Sequence, residues 1–254
     1  MATALITGPT AGIGRAFADA LAAKGMNLVL VSRDEHRLKQ VARDIQAAHG
    51  QDLQIEVLPA DLSDRSQIDR VADRLRDPAR PVQVLVNNAG FGLVRGFTDT
   101  RIDEEQQLLD VLVTAVLRLS HAAVPGMVAR GKGVIFNVSS VAGWITGSTY
   151  SAAKSWVTVF TEGLAQDLAG TGVRALAVCP GYVRTEFHER AAMDVAEVPE
   201  WMWLDSADVV AQAMRDAEQG RVISVTGPQY KAMATILQHA PRPLVRLASR
   251  SRGR

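Results

Sequence analysis

The sequence ALITGPTAGIGRAF at residues 4–17 decides the fold. Its apolar, β-branched start predicts a strand over residues 4–7, and the spacing of the apolar residues after it predicts a helix over residues 12–24. Gly8, Gly12 and Gly14 fall at the turn between them. Because glycine has no Cβ, such a turn can approach a pyrophosphate, which the N–H groups of a helix N-terminus attract. The stretch indicates a dinucleotide-binding turn, although its spacing differs from G-x-G-x-x-G and glycines alone also mark ordinary turns.

Short apolar runs continue to alternate with longer segments of helical period along the chain. Further strands are predicted at 27–32, 55–60, 82–87, 134–138, 173–179 and 221–225, and helices at 35–49, 66–76, 104–124 and 150–168. Because the strands are almost continuously apolar, both of their faces are expected to be buried in a mostly parallel sheet with helices on each side. We predict one doubly wound α/β domain with seven strands over residues 1–254.

Length and composition exclude several classes of protein. The 254 residues suit one large domain, and the formal net charge of +1 comes from acidic and basic residues that we take to be mixed along the whole length, so nucleic acid is not an expected partner. The single cysteine, Cys179, predicts a buried thiol in a reducing compartment. We find no signal-peptide pattern or apolar run of about 18 residues, and expect a cytoplasmic protein without a membrane span. The scattered histidines and the lack of a G-x-S-x-G elbow predict neither a metal site nor a hydrolase site.

Further polar segments follow the predicted strands: NNAG at residues 87–90, SS at 139–140 and PG at 180–181. Tyr150 and Lys154 lie four positions apart in a helix and so project from one face. Together with TGPTAGIG at residues 7–14, and in this order, the segments resemble the marks of the classical short-chain dehydrogenase/reductase family. The resemblance extends from Leu5 to about Thr185. It implies a Rossmann-like fold and an oxidoreductase that uses a nicotinamide cofactor.

The resemblance implies the catalytic set Ser140, Tyr150 and Lys154. In this family the tyrosine exchanges a proton with the substrate oxygen, the serine hydrogen-bonds that oxygen, and the lysine holds the nicotinamide ribose and lowers the pKa of the tyrosine. A nearby ammonium and an oxidised nicotinamide both favour a phenolate, so we expect the pKa of Tyr150 to fall below its reference value of about 10. By spacing alone such a pair is more commonly a surface contact, and the other motifs favour catalysis.

The end of the second predicted strand favours NADP(H) over NAD(H). An NAD site carries a carboxylate there, whereas this chain has Ser32 and Arg33, and a guanidinium suits a 2′-phosphate. Alternatively, Arg33 lies in solvent and Asp34 caps the next helix. Asp61 also suits a helix-capping or turn role, and Thr185 suits a helix N-cap. By resemblance the remaining cofactor contacts are Gly8, Thr10, Gly12, Ile13, Gly14, Asp61, Leu62, Asn88, Ala89, Gly90, Tyr150, Lys154, Pro180, Gly181, Val183 and Thr185.

Two features depart from the family pattern. Ten positions separate Ser140 from Tyr150, three fewer than usual, so the loop between them is expected to be shorter, with Ser139 as the less favoured alternative to Ser140. The family's helix asparagine, which helps to hold a water in the proton relay to the lysine, aligns with Leu112. A leucine side chain neither donates nor accepts a hydrogen bond, so we expect this relay to be rerouted or weakened.

Residues 186–204 are expected to cover the substrate. Apolar side chains suited to a hydrophobic ketone or alcohol are Phe91, Trp144, Phe187, Trp201 and Trp203, although Trp201 and Trp203 equally suit core or subunit packing. The resemblance implies a homodimer or homotetramer built on the helices at 104–124 and 150–168. The basic end, residues 241–254, is interpreted as a loose terminus, with an amphipathic membrane or partner contact as the alternative.

The leading functional hypothesis is an NADP(H)-dependent oxidoreductase that interconverts a carbonyl and an alcohol, with Tyr150 as the acid and base. Leu112 and the shortened loop motivate an alternative, a catalytically weakened dinucleotide-binding or regulatory protein of the same fold. A third hypothesis, an epimerase or dehydratase with the same cofactor pocket, differs from both because it turns over substrate without net consumption of NADPH.

Overall fold

The structure, a computed structural model, describes residues 1–50, 52–93, 95–191 and 193–250. Residues 248–250 are described by their backbone only. Seven parallel strands form one sheet in the order β3-β2-β1-β4-β5-β6-β7. The strands are β1 Thr3–Thr7, β2 Asn27–Ser32, β3 Ile55–Pro59, β4 Val84–Asn87, β5 Gly133–Val138, β6 Val173–Val178 and β7 Ile223–Ser224. The predicted doubly wound, seven-stranded domain is confirmed, and the described sheet is parallel throughout.

Helices connect the strands and cover both faces of the sheet. Those in the described residues are α1 Gly12–Ala23, α2 Glu35–His49, α3 Arg65–Arg76, α4 Ile102–Leu109, α5 Ala115–Ala129, α6 Thr149–Asp167, α7 Glu186–Arg190, α8 Ser206–Glu218, α9 Pro228–His239 and α10 Arg242–Arg250. A π-helical turn, Asp110–Thr114, joins α4 to α5, and short 3₁₀ turns lie at Val141–Trp144 and Glu200–Met202. Helices α7 to α10 were not predicted from the sequence.

The core has two layers because successive strand residues point to opposite faces of the sheet. In β1, for example, Ile6 packs with Phe17 of α1 on one face, whereas Leu5 packs with the cluster that contains Ile68 of α3 and Leu119 of α5 on the other. All five side chains are fully buried. This double burial explains why the strands are almost continuously apolar in the sequence.

The strand order determines where a ligand site lies on the sheet. It reverses between β1 and β4, so the connections that leave the carboxyl ends of these two strands run to opposite faces of the sheet. Ligands of open α/β sheets bind in the crevice that such a reversal creates. The glycine turn after β1 and the Asn88-Ala89-Gly90 segment after β4 both lie at this crevice.

The helical stretch Ile102–Ala129 is the one segment of the described residues that is long and apolar enough to cross a membrane by length and composition. Its side chains Leu108 and Leu112 are buried near the site, and Leu119 and Met127 are buried against the sheet. This packing in the core accounts for its apolar composition.

The basic end of the chain is more ordered than predicted. The interpretation of a loose terminus is wrong for residues 242–250, which form α10, with Val245 buried against the domain. Arg252 and Arg254 lie outside the described residues.

Candidate active site

The glycine turn leaves the N-terminus of α1 open to an anion. Gly8 and Gly12 have φ angles of +67° and +54°, in the left-handed region that glycine adopts readily. A Cβ on Gly14 would lie 2.2 Å from the Gly8 carbonyl oxygen. Side chains cap α2, α3, α6 and α8, whereas Ala11 at the start of α1 provides no cap. The free N–H groups of the first turn of α1 therefore suit the pyrophosphate of a dinucleotide.

Hydrogen bonds tie the glycine turn to the loop after β4. The Thr7 hydroxyl accepts from the backbone N–H groups of Asn88 and Ala89, at 2.9 and 3.0 Å. The Asn88 amide in turn donates to the carbonyl oxygens of Thr7 and Gly8, both at 3.0 Å. Asn88 thus holds the turn with its side chain, and its backbone and that of Ala89 border the crevice.

Ser140, Tyr150 and Lys154 come together above the carboxyl end of β5. Tyr150 lies in the first turn of α6, and its hydroxyl makes a side-chain hydrogen bond with Ser140. The Lys154 ammonium lies 5.6 Å from the centroid of the Tyr150 ring. The short loop between Ser140 and Tyr150 brings the serine to the tyrosine because it packs tightly on α6. A Cβ on Gly143 would lie 2.9 Å from the Lys154 carbonyl carbon.

Ser139 faces away from this trio. Its hydroxyl is buried and donates to the Lys154 carbonyl oxygen at 2.7 Å, and it shares a hydrogen bond with the Thr158 hydroxyl, also at 2.7 Å. The structure therefore places Ser140, and not Ser139, beside Tyr150. Ser139 fixes the backbone of α6 at the residue that carries the ammonium.

Burial sets the pKa values of Tyr150 and Lys154. It raises the pKa of Tyr150 to about 12, although the hydrogen bond from Ser140 acts in the opposite direction. The predicted fall in this pKa is therefore wrong for the protein chain, because desolvation of the phenolate outweighs its other interactions. Burial also lowers the pKa of Lys154 to about 8, while its Nζ donates to the Val138 carbonyl oxygen at 2.7 Å.

Leu112 occupies the position aligned with the family asparagine. It lies in the π-helical turn, where the Ala115 N–H donates to the Asp110 carbonyl oxygen. Its side chain is buried, and a Cβ on Gly90 would lie 2.7 Å from Leu112 Cδ2 and 3.9 Å from Lys154 Nζ. An apolar side chain thus lies near the ammonium, at the position where the family pattern has an asparagine amide.

At the end of β2, Arg33 is exposed and forms no hydrogen bond or ion pair with any residue that the structure describes. The Ser32 hydroxyl accepts from the Asp34 N–H at 3.3 Å, and Asp34 caps α2. The Asp61 carboxylate accepts from the N–H and hydroxyl of Ser63, at 2.9 and 2.7 Å. Asp34 thus has the capping role given as its alternative, whereas Asp61 has a turn role, because the cap of α3 is Asp64. The side chain of Leu62 is buried in the core.

The segment after β6 is anchored by Tyr230 of α9, a residue that the sequence did not single out. A Cβ on Gly181 would lie about 2 Å from the Tyr230 ring, so the glycine admits the ring at close range. The Tyr230 hydroxyl donates to the Met202 carbonyl oxygen at 2.7 Å and accepts from the Tyr182 N–H at 2.9 Å. Pro180 is buried beside them. Tyr230 thus joins Tyr182, which precedes residues 186–204, to Met202 near the end of that range; these residues, which the sequence predicts to cover the substrate, are called the covering segment.

The residue before the covering segment contacts the glycine turn, and Arg37 bridges the first residue of the segment to that turn. Thr185 caps α7 and packs so closely on Gly12 that a Cβ there would lie 2.6 Å from Thr185 Cγ2. Arg37 of α2 donates to the Thr10 carbonyl oxygen at 3.3 Å and to the Glu186 carboxylate at 3.0 Å. This bond lowers the pKa of Glu186. No sequence motif indicates this bridge, because its partners are 149 positions apart.

Two phenylalanines lie in the apolar surroundings of Tyr150. The Phe187 ring centroid lies 5.9 Å from that of Tyr150, and Phe91 packs in the same cluster. Trp203 instead packs against the rings of Tyr182 and His188.

The other predicted positions lie around this apolar surface. Trp201 is 66% exposed, and Trp144 is partly buried in the 3₁₀ turn after Ser140. Val183 pairs with Leu204 in an isolated bridge. Among the residues described, no group of three His, Cys, Asp or Glu side chains is arranged to hold a metal ion.

Comparison with known sequences agrees with this architecture. The profile of the short chain dehydrogenase family matches residues 2–196. A ketoacyl reductase, HetN, from Nostoc is 35% identical over 184 residues, which cover 71% of this chain and 63% of the relative. Sulfoacetaldehyde reductase 2 of Chromohalobacter salexigens is 37% identical over 188 residues, which cover 72% of this chain and 73% of that protein.

Solved structures show the same fold and the cofactor class. A short-chain dehydrogenase from Sphingobium yanoikuyae in complex with NADPH has a TM-score of 0.84 at 31% identity and covers 94% of each chain. A bulky-bulky ketone specific alcohol dehydrogenase from Comamonas testosteroni has a TM-score of 0.79 at 27% identity, with 95% and 96% covered. A relative from Burkholderia phymatum in complex with NAD has a TM-score of 0.80 at 26% identity, with 94% and 96% covered. As its motifs predict, the chain belongs to the short chain dehydrogenase family of oxidoreductases.

Proposed function

We propose that the protein is an NADP(H)-dependent reductase of hydrophobic ketones, which also oxidises the corresponding alcohols. The observation that carries the proposal is the trio of Ser140, Tyr150 and Lys154, in which a partly buried phenol is hydrogen-bonded to a hydroxyl and its ring centroid lies 5.6 Å from an ammonium. The trio lies at the same crevice as the uncapped N-terminus of α1.

The residues around the crevice fit a nicotinamide dinucleotide, which supplies or accepts the hydride when it is bound. The free N–H groups of Gly12, Ile13 and Gly14 would hold its pyrophosphate. Lys154 would hold the nicotinamide ribose. Thr185, which packs on Gly12, and Val183, two positions before it, would hold the carboxamide.

The raised pKa suits Tyr150 to the role of proton donor. With a pKa of about 12, the phenol is protonated at neutral pH, and it remains a stronger acid than the alcohol that a ketone yields. As the carbonyl oxygen gains negative charge, the Tyr150 hydroxyl transfers its proton to that oxygen while Ser140 donates a hydrogen bond to it. The Lys154 ammonium then stabilises the phenolate left behind.

Arg33 supports the preference for NADP(H). Its guanidinium is exposed and unpaired with described residues, at the place where an NAD site carries a carboxylate. The NADPH complex of the Sphingobium relative agrees with this preference, whereas the NAD complex of the Burkholderia relative shows that the fold accepts both cofactors. We expect Arg33→Ala to weaken NADPH binding about tenfold or more in a fluorescence titration, because a charge-assisted pair is lost, and to leave NADH binding unchanged. Arg43→Ala, on the exposed side of α2, is the matched control.

The apolar surroundings of Tyr150 support a hydrophobic substrate. Phe187 lies beside the phenol, and Phe91 and Tyr150 both pack on the apolar cluster of Leu108, Leu112 and Ala153. The ketone-specific Comamonas relative shows that this fold accommodates bulky ketones. We infer a substrate whose carbonyl carries apolar groups on both sides.

Initial-rate assays of NADPH oxidation over a series of aliphatic and aryl ketones test the proposal. We expect turnover that rises with the apolar size of the ketone and that is abolished in Tyr150→Phe, with NADPH affinity retained. Leu112 beside Lys154 favours the alternative of a weakened, cofactor-binding protein. Tight NADPH binding with equal, negligible rates in both proteins would support that alternative.

We further propose a cytoplasmic homodimer or homotetramer. Exposed apolar side chains lie on both helices expected at the interface: Leu117 and Val128 on α5 and Val159 on α6. Light scattering coupled to size-exclusion chromatography tests the assembly, and Val159→Lys is expected to reduce its mass because a charge would be buried in the contact.

A further inference from the structure

Charge is divided sharply between the body of the chain and its C-terminal part. All 27 acidic residues lie within the first 218 positions, where they outnumber 21 Lys and Arg residues. Positions 219–254 contain no acidic residue. Their seven cations are Arg221, Lys231, Arg242, Arg246, Arg250, Arg252 and Arg254. The expectation of charges mixed along the whole length is therefore wrong for this part.

The last helix combines these cations with exposed apolar side chains. Leu244 and Leu247, three positions apart on α10, are 58% and 66% exposed. They share one side of the helix, whereas Arg242 and Arg246, four positions apart, share another. Val245, 2% exposed, holds α10 on the domain.

A further apolar side chain is exposed on the preceding helix. Ile236 of α9 is 67% exposed, and the link between α9 and α10 is only two residues long. The leucines and Ile236 are therefore large apolar side chains in contact with water, within a region whose charges are all positive.

We propose that α9 and α10 form a docking surface for an anionic lipid bilayer. Leu244 and Leu247 enter the boundary between headgroups and acyl chains, while the arginines of the same helix bind lipid phosphates. This surface would bring a reductase of hydrophobic ketones to the phase in which such substrates concentrate, but the binding itself does not depend on the enzymatic activity.

Charge complementarity favours lipid over a second copy of the chain at this surface. Two copies that met α10 to α10 would bring Arg242 and Arg246 of one copy towards those of the other, and residues 219–254 contain no acidic residue that could relieve the repulsion. An anionic bilayer neutralises the cations and buries the leucines in the same event. Two leucines alone give weak insertion, so binding is expected to require anionic lipid and to weaken with salt.

Co-sedimentation of the full-length protein with vesicles tests the proposal. We expect binding to vesicles of equimolar phosphatidylcholine and phosphatidylglycerol that is about tenfold or more stronger than to phosphatidylcholine alone, and a clear loss at high salt. Two double variants, Leu244→Ser with Leu247→Ser and Arg242→Gln with Arg246→Gln, should each weaken binding about tenfold. Arg43→Gln with Arg76→Gln removes the same charge from the surface of α2 and α3 and should leave binding unchanged.

The readouts separate this proposal from the proposed enzymatic function. NADPH affinity and melting temperature verify that each variant is folded, and vesicle binding is measured without substrate. Equal binding to both vesicle types, or full binding by both double variants, would overturn the proposal. The proposal would also be overturned if the wild-type protein did not bind vesicles and the leucine double variant had a reduced oligomeric mass, because the surface would then be a subunit contact.

Discussion

The crevice floor and the covering segment that faces it are held in different ways. The floor, formed by the glycine turn after β1 and the loop after β4, is joined by short hydrogen bonds between neighbouring loops, such as those from Asn88 to Thr7 and Gly8. In its described residues the covering segment has little regular structure beyond α7 and a short 3₁₀ turn, and single side chains from distant elements, Tyr230 and Arg37, bind it. The floor is therefore preorganised for a cofactor, whereas the position of the cover depends on a few contacts.

The largest effect is expected from a change in the floor. Gly14→Ala places a Cβ 2.2 Å from the Gly8 carbonyl oxygen, so the turn must move and the N–H groups of α1 lose their alignment. We expect NADPH affinity to fall about a hundredfold, measured by isothermal titration calorimetry. Gly163→Ala is the control, because its Cβ would meet no atom within 4 Å. Unchanged NADPH affinity in Gly14→Ala would contradict the role of the turn.

The buried ammonium of Lys154 makes the free energy of unfolding depend on pH. Its pKa of about 8 lies below the reference value of about 10.4 for an unfolded chain, so the unfolded state binds more protons between these values. Folding is therefore disfavoured by this group below pH 8, and the free energy of unfolding should rise by up to about 3 kcal/mol as the pH increases from about 8 towards 10.

Urea unfolding measured across this pH range checks the prediction. Lys154→Met, which keeps the length of the side chain without the charge, should remove the rise. A wild-type protein whose stability is flat or falling from pH 8 to 10 would show that the ammonium is better solvated than its burial indicates.

A smaller effect is expected when the cover is loosened. Tyr230→Phe keeps the ring against Gly181 but removes the hydroxyl that joins Tyr182 to Met202. Stability should fall by about 1–2 kcal/mol in thermal unfolding. The KM for ketone should rise several-fold while the Kd for NADPH is unchanged. A change confined to cofactor binding would mean that Tyr230 supports the floor instead.

The smallest effect is expected at the bridge between the two regions. Glu186→Gln weakens the half-exposed pair with Arg37, so stability should change by less than about 1 kcal/mol. Cofactor release, followed by stopped-flow fluorescence, should accelerate about two- to fivefold because the cover opens more readily. Glu35→Gln, which breaks the exposed pair with Lys39, is the matched control. Equal release rates in both variants would mean that the bridge does not couple cover and floor.

The same contrast explains what could be predicted from sequence. The strands and the glycine turn follow from local periodicity and spacing. Tyr150 and Lys154 were identified through the resemblance to the family, because their spacing alone is more typical of a surface contact. The contacts of Tyr230 and of Arg37 with Glu186 join residues that are 28 to 149 positions apart, and such contacts leave no local pattern. The direction of the Tyr150 pKa was missed because it depends on burial, which a single sequence does not show.

The C-terminal helix illustrates a different limit. The spacing of Leu244 and Leu247 and the proline near the start of α10 are compatible with a helix, but a short segment dense in arginine also matches a frayed end. Burial of Val245 against the domain stabilises the helix, and this tertiary contact was not visible beforehand.

The proton transfer from Tyr150 is tested most directly by single-turnover reduction of a hydrophobic ketone by enzyme-bound NADPH, in wild type and Tyr150→Phe, across a range of pH. The account predicts a wild-type rate that is highest below about pH 8, where the phenol is protonated and the Lys154 ammonium keeps its charge, and that falls above pH 8 as this ammonium loses its proton. Where the wild-type rate is highest, the rate of the variant should be lower by a factor of about 100 to 10,000, with NADPH bound equally well. A variant that reduces the ketone at the wild-type rate would contradict it.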